Sequence, residues 1–176
     1  MKMKIPSGST APDFTFKTAW DDSMSLYELL KKRGVILFFL RYKGCPLCQM
    51  KIAELKNEWK KATDKGYTGL VILQSSAEAI QADCAKDDFP FTVVCDPQGK
   101  IFELYGVTEA TVFGYIALPV ILRALKAAIK GYRHGKKEGR EMQLPAVFLV
   151  DKNKTVRYSY YGTNISDVPP LDQVLS

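Results

Sequence analysis

The sequence predicts an α/β fold with a central mixed sheet covered on both faces, and three observations carry that expectation. Two short apolar runs, Gly34–Leu40, β-branched and aromatic, and residues 70–73, Leu-Val-Ile-Leu, show no polar alternation, as strands buried on both sides do. Between them Cys48, Ile52, Leu55, Trp59 and Ala62 recur at four- and three-residue steps. Lys51, Glu54, Lys56, Glu58, Lys60 and Lys61 fall largely on other faces, which is the pattern of an amphipathic helix. Near the end, residues 146–150 and 155–161 flank Asp151-Lys152-Asn153-Lys154 as a hairpin would, adding antiparallel strands to a strand-helix alternation.

The remaining elements follow in chain order. Residues 11–18 alternate Phe14 and Phe16 with polar residues, as a half-exposed strand does, and Trp20-Asp21-Asp22 reads as a turn. Ser25 caps a short helix with Leu26, Leu29 and Leu30 on its apolar face, and Gly34 ends it. Gly66 and Gly69 bracket a break before the second buried strand. Ser76 then caps a helix that carries Ala77, Ile80 and Cys84 on one face. Residues 91–95 form a third strand, Asp96-Pro97-Gln98-Gly99 a turn, and 101–105 a short helix stopped at Gly106. Residues 111–132 read as one long, mostly apolar helical segment with Pro119 near its middle, and 171–175 as a terminal helix.

A chain of 176 residues, nearly half of them apolar, can bury one sizeable core, so a single domain over 1–176 is expected. No apolar stretch follows Lys2 and Lys4 as in a signal peptide, and Arg123 interrupts the long apolar segment after about a dozen residues where roughly 20 span a bilayer. A cytoplasmic location and no stable membrane insertion are therefore expected. The net charge of +6 is uneven. Residues 123–140 hold seven basic residues against Glu138 alone, while the other 18 basic and 18 acidic residues cancel. Such a run suits an anionic surface or is a solvated face. The glycines form no nucleotide-binding or phosphate-binding motif, so no cofactor and no nucleic-acid partner is predicted.

The chemistry concentrates in Arg41-Tyr42-Lys43-Gly44-Cys45-Pro46-Leu47-Cys48, between the buried strand and the amphipathic helix. Pro46 fits the first helical position, which puts Cys45 at the N-cap, where free amides and the positive end of the helix dipole favour thiolate. Cysteines of such pairs have pKa values well below about 8.5. Arg41 and Lys43 add positive charge. Cys48 lies three residues on, with Cβ atoms roughly 5 to 6 Å apart on helical spacing, within reach of a disulfide. Cys45 is therefore assigned as the exposed nucleophile and Cys48 as its half-buried resolving partner. Half a zinc site is the alternative, but Cys84 and Cys95 stand singly and His134 is the only histidine, so no second ligand pair is present. Both single cysteines read as small core residues.

These residues resemble the thioredoxin-fold superfamily and, within it, the alkyl hydroperoxide reductase C and thiol-specific antioxidant branch, the peroxiredoxin-like proteins. Ala11-Pro12-Asp13-Phe14, the stretch from Phe89 to Lys100 with Tyr105-Gly106-Val107, and Pro145 to Asp151 are similar to that family's opening strand, middle section and late strand. Residues 41–48 and the tail 158–175 are similar to bacterial peroxiredoxin-like and peroxiredoxin-like 2 proteins. The resemblance implies a three-layer α/β/α domain with a peroxiredoxin-type N-terminal extension and a helical, basic insertion at about 111–140. It makes Cys45 the peroxidatic position. Phe38 and Tyr42 stand where the family carries proline and threonine, and Tyr42 offers a hydroxyl in place of the threonine's. Arg140 is the nearest candidate for the family's peroxide-activating arginine. Pro145 looks like the cis-proline that faces CxxC in thioredoxins.

Three functions are carried forward. The first is an antioxidant thiol peroxidase, in which Cys45 attacks a hydroperoxide, Cys48 resolves the sulfenic acid, and a thioredoxin-like or glutathione-type donor reduces the disulfide. The second is a thiol-disulfide oxidoreductase with Pro145 lining the docking groove. The third treats residues 123–140 as a binding module for an acidic surface. Leu118, Leu122, Leu125, Ile129 and Tyr132 form an apolar stripe separate from Arg123, Lys126, Lys130 and Arg133. That stripe is expected to dock the helix, either on the chain's own sheet or in a homodimer contact.

Overall fold

The computed structural model describes residues 3–21 and 23–176; the expected turn residue Asp22, and Lys2, lie outside them. The elements in order are β1 Thr15–Thr18, β2 Met24–Ser25, α1 Leu26–Leu30, β3 Gly34–Leu40, α2 Pro46–Glu58, α3 Lys60–Asp64 and β4 Tyr67–Leu73. There follow α4 Ala77–Gln81, β5 Thr92–Cys95, α5 Lys100–Leu104, α6 Val112–Tyr115, α7 Leu118–Ile129, β6 Ala146–Val150, β7 Val156–Tyr161 and α8 Leu171–Val174. The seven strands form one mixed sheet in the order β2-β1-β5-β4-β3-β6-β7. Strands β3, β4 and β5 run parallel, while β1, β6 and β7 pair antiparallel.

The solid apolar run of β3 follows from its central place, since a strand covered on both faces has no solvent side to make polar. Its alternate residues enter two cores. Ile36, Phe38 and Leu40 pack with Leu55, Trp59 and Ala62 from α2, α3 and their junction, and with Leu171 and Val174 of α8. Val35, Leu37 and Phe39 pack with Leu26 and Leu30 of α1 and Ile101 and Phe102 of α5. Each such fully buried side chain stabilises the fold by about 1.5–3 kcal/mol relative to exposure. Gly69 of β4 leaves the flat space in which Trp59 lies, since a Cβ there would meet the indole ring at 2.3 Å.

Local signals place most element ends. Ser25 Oγ accepts from Glu28 N at 3.2 Å and Ser76 Oγ from Ala79 N at 3.2 Å, capping α1 and α4. Asp96, buried in the turn after β5, accepts from the amides of Lys100, Ile101 and Phe102 and so starts α5. Several boundaries differ from the sequence expectation. α1 stops at Leu30, ahead of Gly34, which opens β3 as the strand expected over Gly34–Leu40 requires, and α4 stops at Gln81, leaving Cys84 beyond it. The amphipathic helix breaks at Trp59 into α2 and α3. The expected helix over 111–132 is two helices, because Pro119 is tolerated in a first turn and not in a helix interior.

The largest correction concerns the expectation that the apolar stripe of α7 docks on the chain's own sheet. Leu118, Leu122, Leu125 and Ile129 face outward, 67, 58, 58 and 79% exposed, while the helix docks beside α2 through Val120 and Ala127. Arg123 on this inner side donates to Ser166 O at 2.6 Å. Both faces of the sheet near α7 are already covered by other helices, so none remains to receive the leucines.

Candidate active site

The site is built at the carboxyl end of β3, where the chain turns into α2. Cys45 is the N-cap of α2, with φ −79° and ψ 120°, and Pro46 occupies the first turn. Its sulfur accepts from Cys48 N at 3.4 Å. Arg41, four residues earlier on the same turn, sends Nη2 to within 2.8 Å of that sulfur and Nη1 to the Glu141 carbonyl. The Cys48 thiol donates to Cys45, the Arg41 charge attracts the thiolate, and the Cys48 amide adds a third favourable contact. Together they outweigh burial and lower Cys45 to about 6. Burial, then the hydrogen bond and charge of Cys45, push Cys48 well above the ordinary thiol range. The two cysteines thus hold opposite protonation tendencies, as a nucleophile and its proton-retaining partner require.

Arg41 is itself buried, 5% exposed. Burial disfavours its charge, but the two sulfurs more than offset this and raise its pKa. Its Nε has no hydrogen-bond partner among the described residues. Tyr42 is fully buried; its hydroxyl donates to Glu141 and lies 3.1 Å from His134 Nε2. Burial and then Glu141 raise its pKa, so it is held neutral. Tyr115 of α6 donates to the other oxygen of Glu141 at 3.4 Å.

The segment after α7 closes over this pair. Gly135 N donates to Gly44 O at 2.8 Å, and a Cβ on Gly44 would stand 2.4 Å from the Lys136 carbonyl oxygen. Only glycine permits that approach. Cys45, expected to be exposed, is fully buried, and Cys48, expected to be half-buried, is 5% exposed, because both sit in the core between α2 and β3. Beside Cys48 is a cavity of about 20 Å³, lined by Arg41, Leu47, Lys51, Arg123 and Pro145 among others. It has room for a water-sized molecule.

The fold brings together Arg41, Tyr42, Cys45 and Cys48, and sets Pro145 on the cavity wall next to Cys48. Four further expectations are corrected. No peptide bond among the described residues is cis, so Pro145 is trans. It stands just before β6, where its missing N–H removes no ladder bond, and its carbonyl accepts from Gly162 N at 2.9 Å. Arg140 points away from the sulfur, pairing with Glu103 at 3.2 Å and Glu109 at 3.5 Å. Lys43 is likewise turned outward, to the Ala79 carbonyl and Asp83. The Tyr42 hydroxyl is committed to Glu141 and His134, and no contact places it on the sulfur.

Glu141 and His134 escaped the sequence reading. Nothing local marks them, because they meet Tyr42 across 99 and 92 residues of chain. Cys84 and Cys95 are raised by burial, Cys95 to about 11, which makes both poor nucleophiles. Among the described residues no three His, Cys, Asp or Glu side chains converge as a metal ion would need.

Residues 7–159 match the model of the AhpC/TSA family. Over 105 residues the chain is 32% identical to a Coxiella burnetii protein described as a peroxiredoxin, bcp, covering 60% of this chain and 69% of that one. Over 104 residues it is 28% identical to the chloroplastic peroxiredoxin Q of Sedum lineare, covering 59% of this chain and 55% of that one. Among solved structures, peroxidoxin BcpB of Mycobacterium tuberculosis superposes with a TM-score of 0.66 at 17% identity, over 96% of this chain and 93% of that one. The chain therefore spans little more than half the length of the plant relative.

Proposed function

The chain belongs to the AhpC/TSA family, the thioredoxin-fold, peroxiredoxin-like thiol oxidoreductases, and from that premise we propose that it reduces hydroperoxides at Cys45. The Cys45 thiolate attacks the terminal oxygen of ROOH; an S–O bond forms as the O–O bond breaks, the OH stays on sulfur, and the departing RO⁻ takes a proton from solvent to leave as ROH. Cys48 then attacks the sulfenic acid, releasing water and closing a Cys45–Cys48 disulfide. A dithiol donor, thioredoxin-like or of the glutathione type, returns both cysteines to thiols through a mixed disulfide. A reducing, cytoplasmic setting suits this cycle. Residues 111–140 are an insertion within one domain spanning 1–176.

The observation that carries this reading is the Arg41 guanidinium, 2.8 Å from Cys45 Sγ with Nε unpartnered. One nitrogen holds the thiolate while a second donor stays available to the peroxide oxygen as charge develops on it. Arg41 thus does what Arg140 was expected to do. The full burial of Cys45, together with a trans Pro145, supports a small peroxide over a protein disulfide. Stopped-flow mixing of the reduced protein with hydrogen peroxide, an organic hydroperoxide and a model protein disulfide tests the proposal. Peroxides should oxidise it at least about a hundredfold faster than the disulfide does. Cys45→Ser should abolish the reaction and Cys48→Ser limit it to one turnover. Preference for the disulfide would make the chain a thiol-disulfide oxidoreductase.

A further inference from the structure

Eight large apolar side chains on α6 and α7 and at the bend between and before them stand in solvent. Val112, Phe113, Ile116, Leu118, Ile121, Leu122, Leu125 and Ile129 are between 55 and 83% exposed. Proteins seldom leave so continuous an apolar surface without a use for it. On α7 the stripe lies opposite the docked residues Val120 and Ala127, so the helix presents its greasy face outward while its inner face holds it to α2. Lys126, four residues after Leu122 and three before Ile129, and Lys130, four residues further on, run along one flank of that stripe. Arg133, Lys136 and Lys137 continue the exposed basic run beyond the helix. No acidic residue occurs between positions 110 and 137.

We propose that this face is a docking surface for an anionic lipid bilayer, with α6 and α7 lying in the plane of the interface. An apolar helix face beside a flank of lysines and arginines is the arrangement by which interfacial helices bury side chains among acyl chains and set cations at the headgroups. The eighteen residues of Val112–Ile129 are apolar enough for a membrane span. Their fold excludes one: the chain bends at Ile116 and Ala117, and the 12 residues of α7 reach about 18 Å, short of the roughly 30 Å hydrocarbon core. The charges favour lipid over a second copy of the chain. Two-fold pairing of antiparallel α7 helices would bring equivalent flanks together, setting Lys126 and Lys130 against their own copies with no acidic residue of the segment to answer them. An anionic headgroup layer answers every one of them.

Sedimentation of the full chain with phosphatidylcholine vesicles, and with vesicles containing about one third phosphatidylserine, tests this. The protein should pellet with the phosphatidylserine vesicles, and added salt should release it. Replacing Lys126 and Lys130 by Gln should weaken binding about fivefold per charge. The pair L122E and L125E should lower it at least about tenfold, with an unchanged melting temperature because both side chains are outside the core. Equal binding to neutral vesicles, or no binding to either, overturns the proposal. So does a concentration-dependent dimer, dispersed by L122E, that leaves phosphatidylserine vesicles unbound; the face would then belong to a second copy. Every readout is binding, so the result is independent of the peroxidase assignment.

Discussion

At Cys45 the decisive neighbours are the Cys48 thiol, the Arg41 guanidinium and the Cys48 amide at the helix start, and removing the guanidinium should show in the thiol's titration. Thiolate absorbance of the reduced protein should rise with a midpoint near pH 6. In Arg41→Gln that midpoint should move up by about one to two units, since an opposite charge at contact distance is lost. Peroxide oxidation should slow about a hundred- to a thousandfold in the same variant, the typical cost of one donor aimed at developing charge. Stability carries the same signature. Cys45 has a folded pKa of about 6, below the roughly 8.5 of an unfolded chain, so the stabilisation it gives is complete above that upper value and lost as pH falls through the lower one. Urea denaturation should accordingly find the wild type gaining on Cys45→Ser between about pH 6 and 8. A constant difference across that window would mean Cys45 is an ordinary thiol.

The element that closes the site is the segment joining α7 to β6, and it rests on Gly44. In Gly44→Ala the new methyl would meet the Lys136 carbonyl oxygen at 2.4 Å, so the segment must lift. Cys45 should then alkylate with iodoacetamide faster than in the wild type, and proteolysis should cut more readily within residues 131–139. The anchor of the same segment is the contact of the Tyr42 hydroxyl with Glu141 and His134. Tyr42→Phe leaves a partly buried carboxylate with one donor fewer, at a cost of about 1–3 kcal/mol by chemical denaturation. If Gly44→Ala left the alkylation rate unchanged, the closure would not be what shields the sulfur.

For the whole molecule the sheet and its two layers form the rigid frame, and Gly69 shows how tightly they fit. A methyl there would meet the Trp59 ring at 2.3 Å, pushing the α2–α3 junction off β4 and opening the core that also holds Phe38 and Phe91. Gly69→Ala should therefore destabilise by about 1–3 kcal/mol, the usual cost of overpacking a filled core. Equilibrium urea curves with an unchanged slope would report that loss directly. Trp59→Ala should cost more, about 3–5 kcal/mol, because it leaves a cavity.

Periodicity and capping chemistry act over one to four residues, and so they were legible in the chain: the buried strand 34–40, the CxxC at a helix start, the Ser25 and Ser76 caps, the late hairpin and the α/β class. The family followed from motifs that are also local. What only the tertiary structure decided depends on which surfaces meet. Arg41 and not Arg140 reaches the sulfur, because Arg41 shares the turn of Cys45 while Arg140 is drawn to Glu103 and Glu109. Glu141 and His134 join the site across some ninety or more residues, a distance no spacing rule crosses. The stripe of α7 was visible as amphipathic, yet its direction was not: periodicity shows that a helix has an apolar face, and only the prior occupation of the sheet by α1, α2, α3, α5 and α8 turned that face to the outside.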